Sequence, residues 1–149
     1  MTMNVFISGS ISIKNLPNIA IEEINNYIEK ESIFLIGDAY GVDYCVQRPL
    51  NDLKYSKVII YYAGETIRNN YGNWETINII GQNNEKGREL FTLKDIQMSV
   101  DSDFGFMIWD GKSKGTLNNI RLMKAQNKQF RVVINNEIVS ENKLNFYVS

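Results

Sequence analysis

The chain has 149 residues, 16 basic and 17 acidic side chains, and a formal net charge of -1. It has no histidine and only one cysteine, Cys45, which excludes a histidine-based catalytic triad, an internal disulfide and a zinc site built from cysteine or histidine. The length fits one domain over residues 1–149, and the near-neutral charge argues against nucleic acid as a partner. Because no apolar run approaches ~20 residues and no basic-then-apolar leader is present, we expect a cytoplasmic protein that does not bind membranes.

Apolar runs alternate with amphipathic stretches along the chain. Buried strands are predicted where β-branched and aromatic residues run together, and helices where apolar residues recur at spacings of three and four. A further short strand is expected at 144–148. The five main predicted strands cover residues 3–8, 33–36, 57–62, 104–109 and 130–134, and the four predicted helices begin after Pro17, at Val42, at about Glu85 and at Gly115.

Residues 63–84 are polar and rich in Asn and Gly, and they follow the third predicted strand. The segment is longer than an ordinary connection, so we predict a functional lid or a mobile loop. Arg68 offers it a positive charge for an anion, and Tyr71 or Trp74 offers a ring that can stack on a base.

Strands that alternate with helices predict right-handed crossovers and a mostly parallel sheet with both faces covered. We therefore expect an α/β fold of three layers, Rossmann-like, with five strands in the order 3-2-1-4-5. In such a sheet the winding reverses between strands one and four, and ligands bind at the carboxyl ends of those strands. The turns after strands one and four are the first candidates for a site.

The turn after the first strand has the sequence Ser8-Gly9-Ser10. A glycine at this point lets backbone N–H groups approach a ligand closely, and the flanking hydroxyls can bind phosphate or ribose oxygens. An ordinary strand-to-helix turn has the same composition, so this motif alone favours neither interpretation.

The turn after the second strand contains two glycines and two carboxylates. Asp38 is a candidate for binding a ribose diol, whereas Asp43 stands at a helix start, where the helix dipole favours an acidic residue. The residues of this turn predicted to bind a ligand are Gly37, Asp38 and Gly41.

The turn after the fourth strand, D-G-K-S-K-G-T, is the richest of the three. Its glycines permit a tight loop, its lysines carry positive charge, and its hydroxyls stand at a helix start, where free N–H groups favour a phosphate. It is not a Walker A loop, because the order G-x-x-x-x-G-K-[ST] is absent, and a capped polar turn is the alternative. The residues predicted to bind a ligand here are Asp110, Gly111, Lys112, Ser113, Lys114, Gly115 and Thr116.

Three motifs in this order, M-N-V-F-I-S-G-S, G-D-A-Y-G-V-D and F-M-I-W-D-G-K-S-K-G-T, resemble the SLOG superfamily of Rossmann-like proteins over roughly residues 3–135. That superfamily includes DNA-processing protein A, the cytokinin-activating LOG phosphoribohydrolases and YspA-like proteins. The arrangement is also similar to nucleoside 2-deoxyribosyltransferases. The resemblance implies a cleft for a nucleotide or a nucleotide-derived ligand, and a homo-oligomer.

The chain departs from the enzymes of this group at one position. In the LOG and deoxyribosyltransferase families the turn continues G-T-x-x-E, and that glutamate is central to cleavage of the N-glycosidic bond. Asn119 stands at its place here. An amide cannot act as a nucleophile or a general base in that role. If the protein turns over a substrate, another carboxylate must serve, and the candidates are Asp110, Glu89, Asp38 and Glu75.

Three hypotheses follow for the function. The first is binding of a nucleotide or a signalling derivative of one at the carboxyl edge of the sheet, with no metal and no cofactor. The second is a hydrolase or transferase that acts on a nucleoside N-glycosidic bond, so whether the protein is an enzyme is left open. The third is a phage or mobile-element protein that sequesters an immune nucleotide signal.

Overall fold

The uninterrupted apolar runs of the sequence form the inner strands of one seven-stranded sheet. The computed structural model describes residues 2–148, with side chains up to residue 147. The strands are β1 (Asn4–Gly9), β2 (Ile33–Gly37), β3 (Val58–Ala63), β4 (Glu75–Ile79), β5 (Phe104–Trp109), β6 (Gln129–Ile134) and β7 (Glu137–Ile138). The helices are α1 (Asn18–Glu29), α2 (Val42–Asp52), α3 (Arg88–Asp101), α4 (Lys114–Ala125) and α5 (Glu141–Val148).

The strand order across the sheet is β4-β3-β2-β1-β5-β6-β7, and only the β6–β7 pair is antiparallel. The mostly parallel α/β architecture is confirmed, but the sheet has seven strands instead of the predicted five, so the order across the whole sheet differs from the predicted 3-2-1-4-5. The five predicted strands occupy the middle of the sheet, and β4 and β7 extend it at the two edges. Both added strands are short and largely exposed, so they lack the apolar runs that identify buried strands.

Alternation along the strands divides the core between two faces, because successive side chains of a strand point to opposite sides. On one face Val5 and Ile7 of β1 belong to a cluster with residues of α1 and α2. On the other face Phe6 belongs to a cluster with residues of α3, α4 and α5, and this cluster contains the fully buried Trp109. Each such side chain contributes roughly 1.5–3 kcal/mol through burial.

The four predicted helices are confirmed, although α3 begins at Arg88 instead of at about Glu85. The predicted strand at 144–148 is wrong, because these residues form the end of α5. Leu144 of α5 is buried in the second cluster, and Tyr147 packs edge-on against Trp109 with ring centroids 5.5 Å apart. A short apolar run is compatible with a strand or with a helix, and here the packing of Leu144 and Tyr147 favours the helix. None of the helices among residues 2–148 is long and apolar enough to cross a membrane.

Residues 64–74 return the chain to the amino-terminal edge of the sheet without forming a helix. Because β4 is parallel to β3, the chain must travel back along the sheet before β4 can begin. It does so as a strap (residues 64–74) against α2, where Gln47 donates to the carbonyl oxygen of Asn69 at 3.2 Å and accepts from the N–H of Tyr71 at 2.9 Å. At the far end the indole of Trp74 donates to the carbonyl oxygen of Tyr55 at 2.7 Å. The predicted irregular segment 63–84 therefore contains a strand.

We expect Gly9→Ala to lower the free energy of unfolding by about 2 kcal/mol, because overpacking at a rigid backbone is destabilising. A Cβ at Gly9 would come within 2.4 Å of Val42 Cγ2 and 2.5 Å of the carbonyl oxygen of Ile108. Gly115→Ala is the matched control, since nothing lies within 4 Å of a Cβ there, and it should stabilise the protein by roughly 0.5–1 kcal/mol. Urea unfolding measures both variants, and equal stability of Gly9→Ala and the unmodified protein would contradict this packing.

Candidate functional site

The structure joins the first and third predicted turns into one polar edge. β1 and β5 are parallel neighbours with Gly9 opposite Ile108, so the turns that follow them lie side by side. The hydroxyl oxygens of Ser10 and Ser113 are 2.8 Å apart, and the hydroxyl oxygen of Ser10 accepts from the N–H of Asp110 at 3.0 Å. We call this region the β1–β5 edge (residues 8–16 and 109–116).

The carboxylate of Asp110 folds back over its own turn, D-G-K-S-K-G-T, and accepts hydrogen bonds from two of its backbone N–H groups. Its Oδ1 accepts from the N–H groups of Lys112 and Ser113, both at 2.8 Å, and its Oδ2 accepts from the Ser12 hydroxyl at 2.7 Å. Burial opposes ionisation of this carboxyl, but the hydrogen bonds outweigh it and lower the pKa of Asp110 to about 2. Gly111 has a φ of 79° in this turn, a conformation that favours glycine. Two N–H groups of the turn are thus already bound by an ionised carboxylate.

The free donors of the edge belong to the first turn of α4. The hydroxyl of Ser113, just before the helix, donates to Thr116 Oγ1 at 3.2 Å and caps no backbone N–H. The N–H groups of Lys114 and Gly115 have no acceptor within the helix, and open space surrounds Gly115. Lys112 lies two residues before α4 and Lys114 is its first residue, and the side chains of both are exposed. Backbone donors, the helix dipole and two lysines make this helix start suitable for an anion.

A cleft of about 500 Å³ opens beside Asp110, at the carboxyl ends of β5 and β6. Its volume lies in the range of small-molecule sites. A larger groove of about 750 Å³ lies at the amino-terminal ends of the strands, where Trp74 and Glu75 line it but none of the three predicted ligand turns does. The walls of the smaller cleft are Ile13, Lys14, Asn15, Leu16, Pro17, Ile108, Trp109, Asp110 and Asn135.

The turn after β2 holds the strap in place. Asp38 is 0% exposed, and its Oδ1 and Oδ2 accept from the guanidinium and the backbone N–H of Arg68 at 2.7 and 2.9 Å. The Arg68 guanidinium also lies 4.7 Å from the centroid of the Phe91 ring. Both carboxylate oxygens therefore bind the strap in this structure. That Asp38 and Arg68 contact a ligand stays a prediction.

Asp43, which the sequence analysis placed at a helix start, and Lys94, which the sequence did not identify, lie next to this pair. The Asp43 carboxyl and Lys94 Nζ both lie against Gly37, where an added Cβ would approach them to 2.5 and 2.7 Å. Lys94 also pairs with Asp95 at 3.5 Å. Burial raises the pKa of Asp43 to about 6, although Lys94 and the N–H of Ala39 act in the opposite direction, and burial raises the pKa of Asp95 as well.

The sequence pattern of α3 points to the wrong helix face. The apolar spacing selects Ile96 and Val100 as buried, yet they are 38% and 55% exposed. The buried positions are instead Lys94, Met98 and Ser99. Lys94 faces inward because its Nζ lies against Gly37 beside the Asp43 carboxyl and pairs with Asp95. The one sequence signal for the burial of Lys94 is its spacing of four residues from Met98, which puts the two side chains on the same face of α3.

Asn119 links α4 to β1. It is 5% exposed, and its amide nitrogen donates to the Ser8 hydroxyl at 2.7 Å. Its carbonyl oxygen is buried and has no hydrogen-bond partner among the residues that the structure describes. The Asn119 amide and Lys94 both act to lower the pKa of Asp95, against the effect of burial. A neutral amide thus stands beside the buried charges, at the position where the resembling enzymes carry a glutamate.

Two predicted site glycines are required for packing. The carbonyl oxygen of Ile108 and the side chain of Val42 fill the space beside Gly9. Gly41 has a φ of 76°, and a Cβ there would come within 2.4 Å of the Cα of Ile11. These glycines therefore let the turn after β1 and the start of α2 approach each other closely.

Trp74 lies away from the other predicted site residues. It precedes β4, and because β4 is parallel to β3, its first residue is at the amino-terminal edge of the sheet. Glu75 lies at the same edge, whereas Glu89 is exposed in the first turn of α3. Within residues 2–148 no group of three or more Cys, Asp or Glu side chains is placed to hold a metal ion.

One solved structure shares this architecture. It is DNA processing protein A from Helicobacter pylori, described as having a unique single-stranded DNA binding mode. The two are 18% identical with a TM-score of 0.68, and the match covers 97% of this chain and 72% of that one. At this identity the likeness shows a common Rossmann-like fold and nothing finer. No family model and no curated protein matches the sequence.

The raised pKa of Asp43 predicts a pH-dependent stability. The folded protein holds this proton up to about pH 6, whereas the unfolded chain releases it near 3.8. The free energy of unfolding should therefore fall as the pH rises from 4 to 7, by up to about 3 kcal/mol from this group. Asp43→Asn should remove that part of the slope and leave the part due to Asp95, whose pKa burial also raises.

Urea unfolding at pH 4, 5.5 and 7 checks this expectation. Asp52→Asn, at the exposed end of the same helix, is the matched control and should keep the slope of the unmodified protein. The same pH dependence in Asp43→Asn and in the unmodified protein would contradict the assignment.

Proposed function

We propose that the β1–β5 edge binds a nucleoside phosphate, with the phosphate at the start of α4 and the nucleoside in the neighbouring cleft. The observation that carries this proposal is the position of Asp110. It lines the cleft and also closes the turn that leads into the open helix start. Asp110 therefore lies between the proposed anion site at the start of α4 and the cleft.

Charge decides where the phosphate goes. Asp110 is ionised at neutral pH and occupies the N–H groups of Lys112 and Ser113, so a phosphate is repelled from the inside of the turn. The N–H groups of Lys114 and Gly115 remain available on the outside, beside two lysine side chains. The phosphate is best placed there.

The cleft suits the nucleoside. The Asp110 carboxylate can accept hydrogen bonds from sugar hydroxyls, and Lys14, whose Nζ donates to the carbonyl oxygen of Ile11 at 3.1 Å, lies on the same wall. Ile13, Leu16 and Pro17 supply apolar surface that a flat base can cover. Asp38 is held by Arg68, so Asp110 is the better candidate for binding the sugar.

A single strand of nucleic acid contains the same phosphate, sugar and base. The near-neutral charge of the chain argues against nucleic acid, but the fold is shared with a protein that binds single-stranded DNA. Short oligonucleotides therefore belong among the ligands to test. A homo-oligomer stays a prediction.

A hydrolase or transferase of the N-glycosidic bond is the second candidate function. It is favoured by one observation, which is that the ionised Asp110 carboxylate lines the cleft. Asn119 offers only an amide, and Glu89 is exposed on α3. Release of free base that Asp110→Asn abolishes would support this activity, and stoichiometric binding with the ligand recovered intact would support sequestration instead.

Gly115→Asp tests the proposed phosphate site. An acidic residue in the first turn of a helix is compatible with folding, but its charge would repel a phosphate at this position. By isothermal titration calorimetry with mononucleotides, cyclic nucleotides and dinucleotides, we expect binding to the unmodified protein and to Gly115→Ala. We expect Gly115→Asp to bind these nucleotides at least roughly tenfold more weakly than the unmodified protein does. The proposal fails if no nucleotide binds, or if Gly115→Asp binds as tightly as Gly115→Ala.

A further inference from the structure

A group of exposed aromatic rings lies on the turn after β2, on α2 and on the strap, next to the β1–β5 edge. Tyr40 and Tyr71 are 57% and 47% exposed, and Tyr44 lies between them. The ring centroids of Tyr40 and Tyr44 are 6.4 Å apart, and those of Tyr44 and Tyr71 are 5.3 Å apart. The guanidinium of Arg48 lies 5.8 Å from the Tyr44 ring. We call these four residues the tyrosine surface.

The fold holds these rings in place. Tyr44 and Arg48 are one helical turn apart on α2, and the hydroxyl oxygens of Tyr44 and Tyr71 are 3.2 Å apart. The backbone N–H of Tyr71 donates to the buried side chain of Gln47 at 2.9 Å, which fixes the strap at this point. Rings that are already ordered lose little conformational freedom when a ligand binds to them.

The tyrosine surface is continuous with the cleft through the loop after β1. On one side of this loop Ser12 donates to Asp110 at 2.7 Å, and on the other side the Cys45 thiol donates to the carbonyl oxygen of Lys14 at 3.2 Å. Lys14 lines the cleft. Burial raises the pKa of the Cys45 thiol, whereas the positive charges of Lys14 and Arg48 act to lower it. Both cations therefore lie close to the path from the cleft to the tyrosines.

The local charge and composition favour nucleic acid over a protein partner. The Arg48 guanidinium, 5.8 Å from the centroid of the Tyr44 ring, places a cation among the exposed rings. Ile11 is the one exposed aliphatic side chain in the adjoining loop, whereas the core of a protein interface is richer in apolar side chains. Aromatic rings interleaved with cations are typical of surfaces that bind single strands.

We propose that the tyrosine surface stacks the bases of a single-stranded oligonucleotide whose terminal phosphate and sugar occupy the β1–β5 edge. This inference rests on the proposed function and specifies its ligand as a short strand. Lys14 and Arg48 contact the phosphates between the bases. Because every base has a flat face, the surface binds strands with little sequence preference.

Fluorescence anisotropy with labelled oligothymidylates of two, four, six and eight nucleotides tests this inference. Affinity should rise with length up to the reach of the tyrosine surface and should fall as salt is added. Tyr71→Ala and Tyr40→Ala should each weaken binding of the longer strands roughly fivefold to a hundredfold. Tyr71→Phe keeps the ring and should retain binding, and Arg48→Lys keeps the charge and should lose less affinity than Arg48→Ala.

Thermal unfolding confirms that each variant is folded, and calorimetry with mononucleotides follows the cleft separately. Affinity that does not depend on length or on the tyrosines, with mononucleotide binding intact, overturns this inference and leaves the proposed function standing. Tyrosine-dependent binding of strands that Gly115→Asp does not weaken rejects the proposed phosphate site, and with it the placement of the terminal phosphate, and leaves base stacking on the tyrosine surface standing. If the tyrosine substitutions change self-association but not strand binding, the surface is a protein interface and the inference is wrong.

Discussion

The buried Asp38 carboxylate, held by the backbone and the guanidinium of Arg68, is the interaction on which the sheet edge depends. A buried carboxylate without a partner destabilises a protein by several kcal/mol, so the strap must stay over the end of β2. Held there, the strap runs along α2, carries Tyr71 to its place beside Tyr44, and delivers the chain to the start of β4. One ion pair thus connects the extra edge strand, the tyrosine surface and the turn after β2.

Three carboxylates near the same edge differ because their surroundings differ. Asp38 is paired with an arginine, Asp43 is buried with its pKa raised to about 6, and Asp110 receives enough hydrogen bonds to lower its pKa to about 2. The low pKa keeps Asp110 charged beside the cleft, and in the proposed function this charge directs the phosphate to the outside of the turn and leaves the carboxylate for the sugar. The buried groups around Lys94 instead join α2 to α3 across the end of β2.

The parts of this molecule that could be predicted from sequence are those decided by local patterns. The apolar runs of the inner strands and the glycine-rich turns after them can be recognised without neighbours, and the structure does bring the first and third turns together. β4 lacks such a run because it is half exposed at the edge, and its parallel direction moves Trp74 to the far side of the sheet. The pairing of Asp38 with Arg68, 30 residues apart, and the inward face of α3 depend on tertiary contacts that no spacing reveals.

The backbone amide of Gly115 reports most directly on the phosphate site proposed at the start of α4. In a ¹⁵N-labelled sample titrated with a nucleoside monophosphate, the amide resonances of Lys114, Gly115 and Thr116 should shift with a single saturating curve. The amides of Lys112 and Ser113, already bound by Asp110, should shift less. Saturable shifts confined to residues outside the β1–β5 edge, with Gly115 unmoved, would contradict the account.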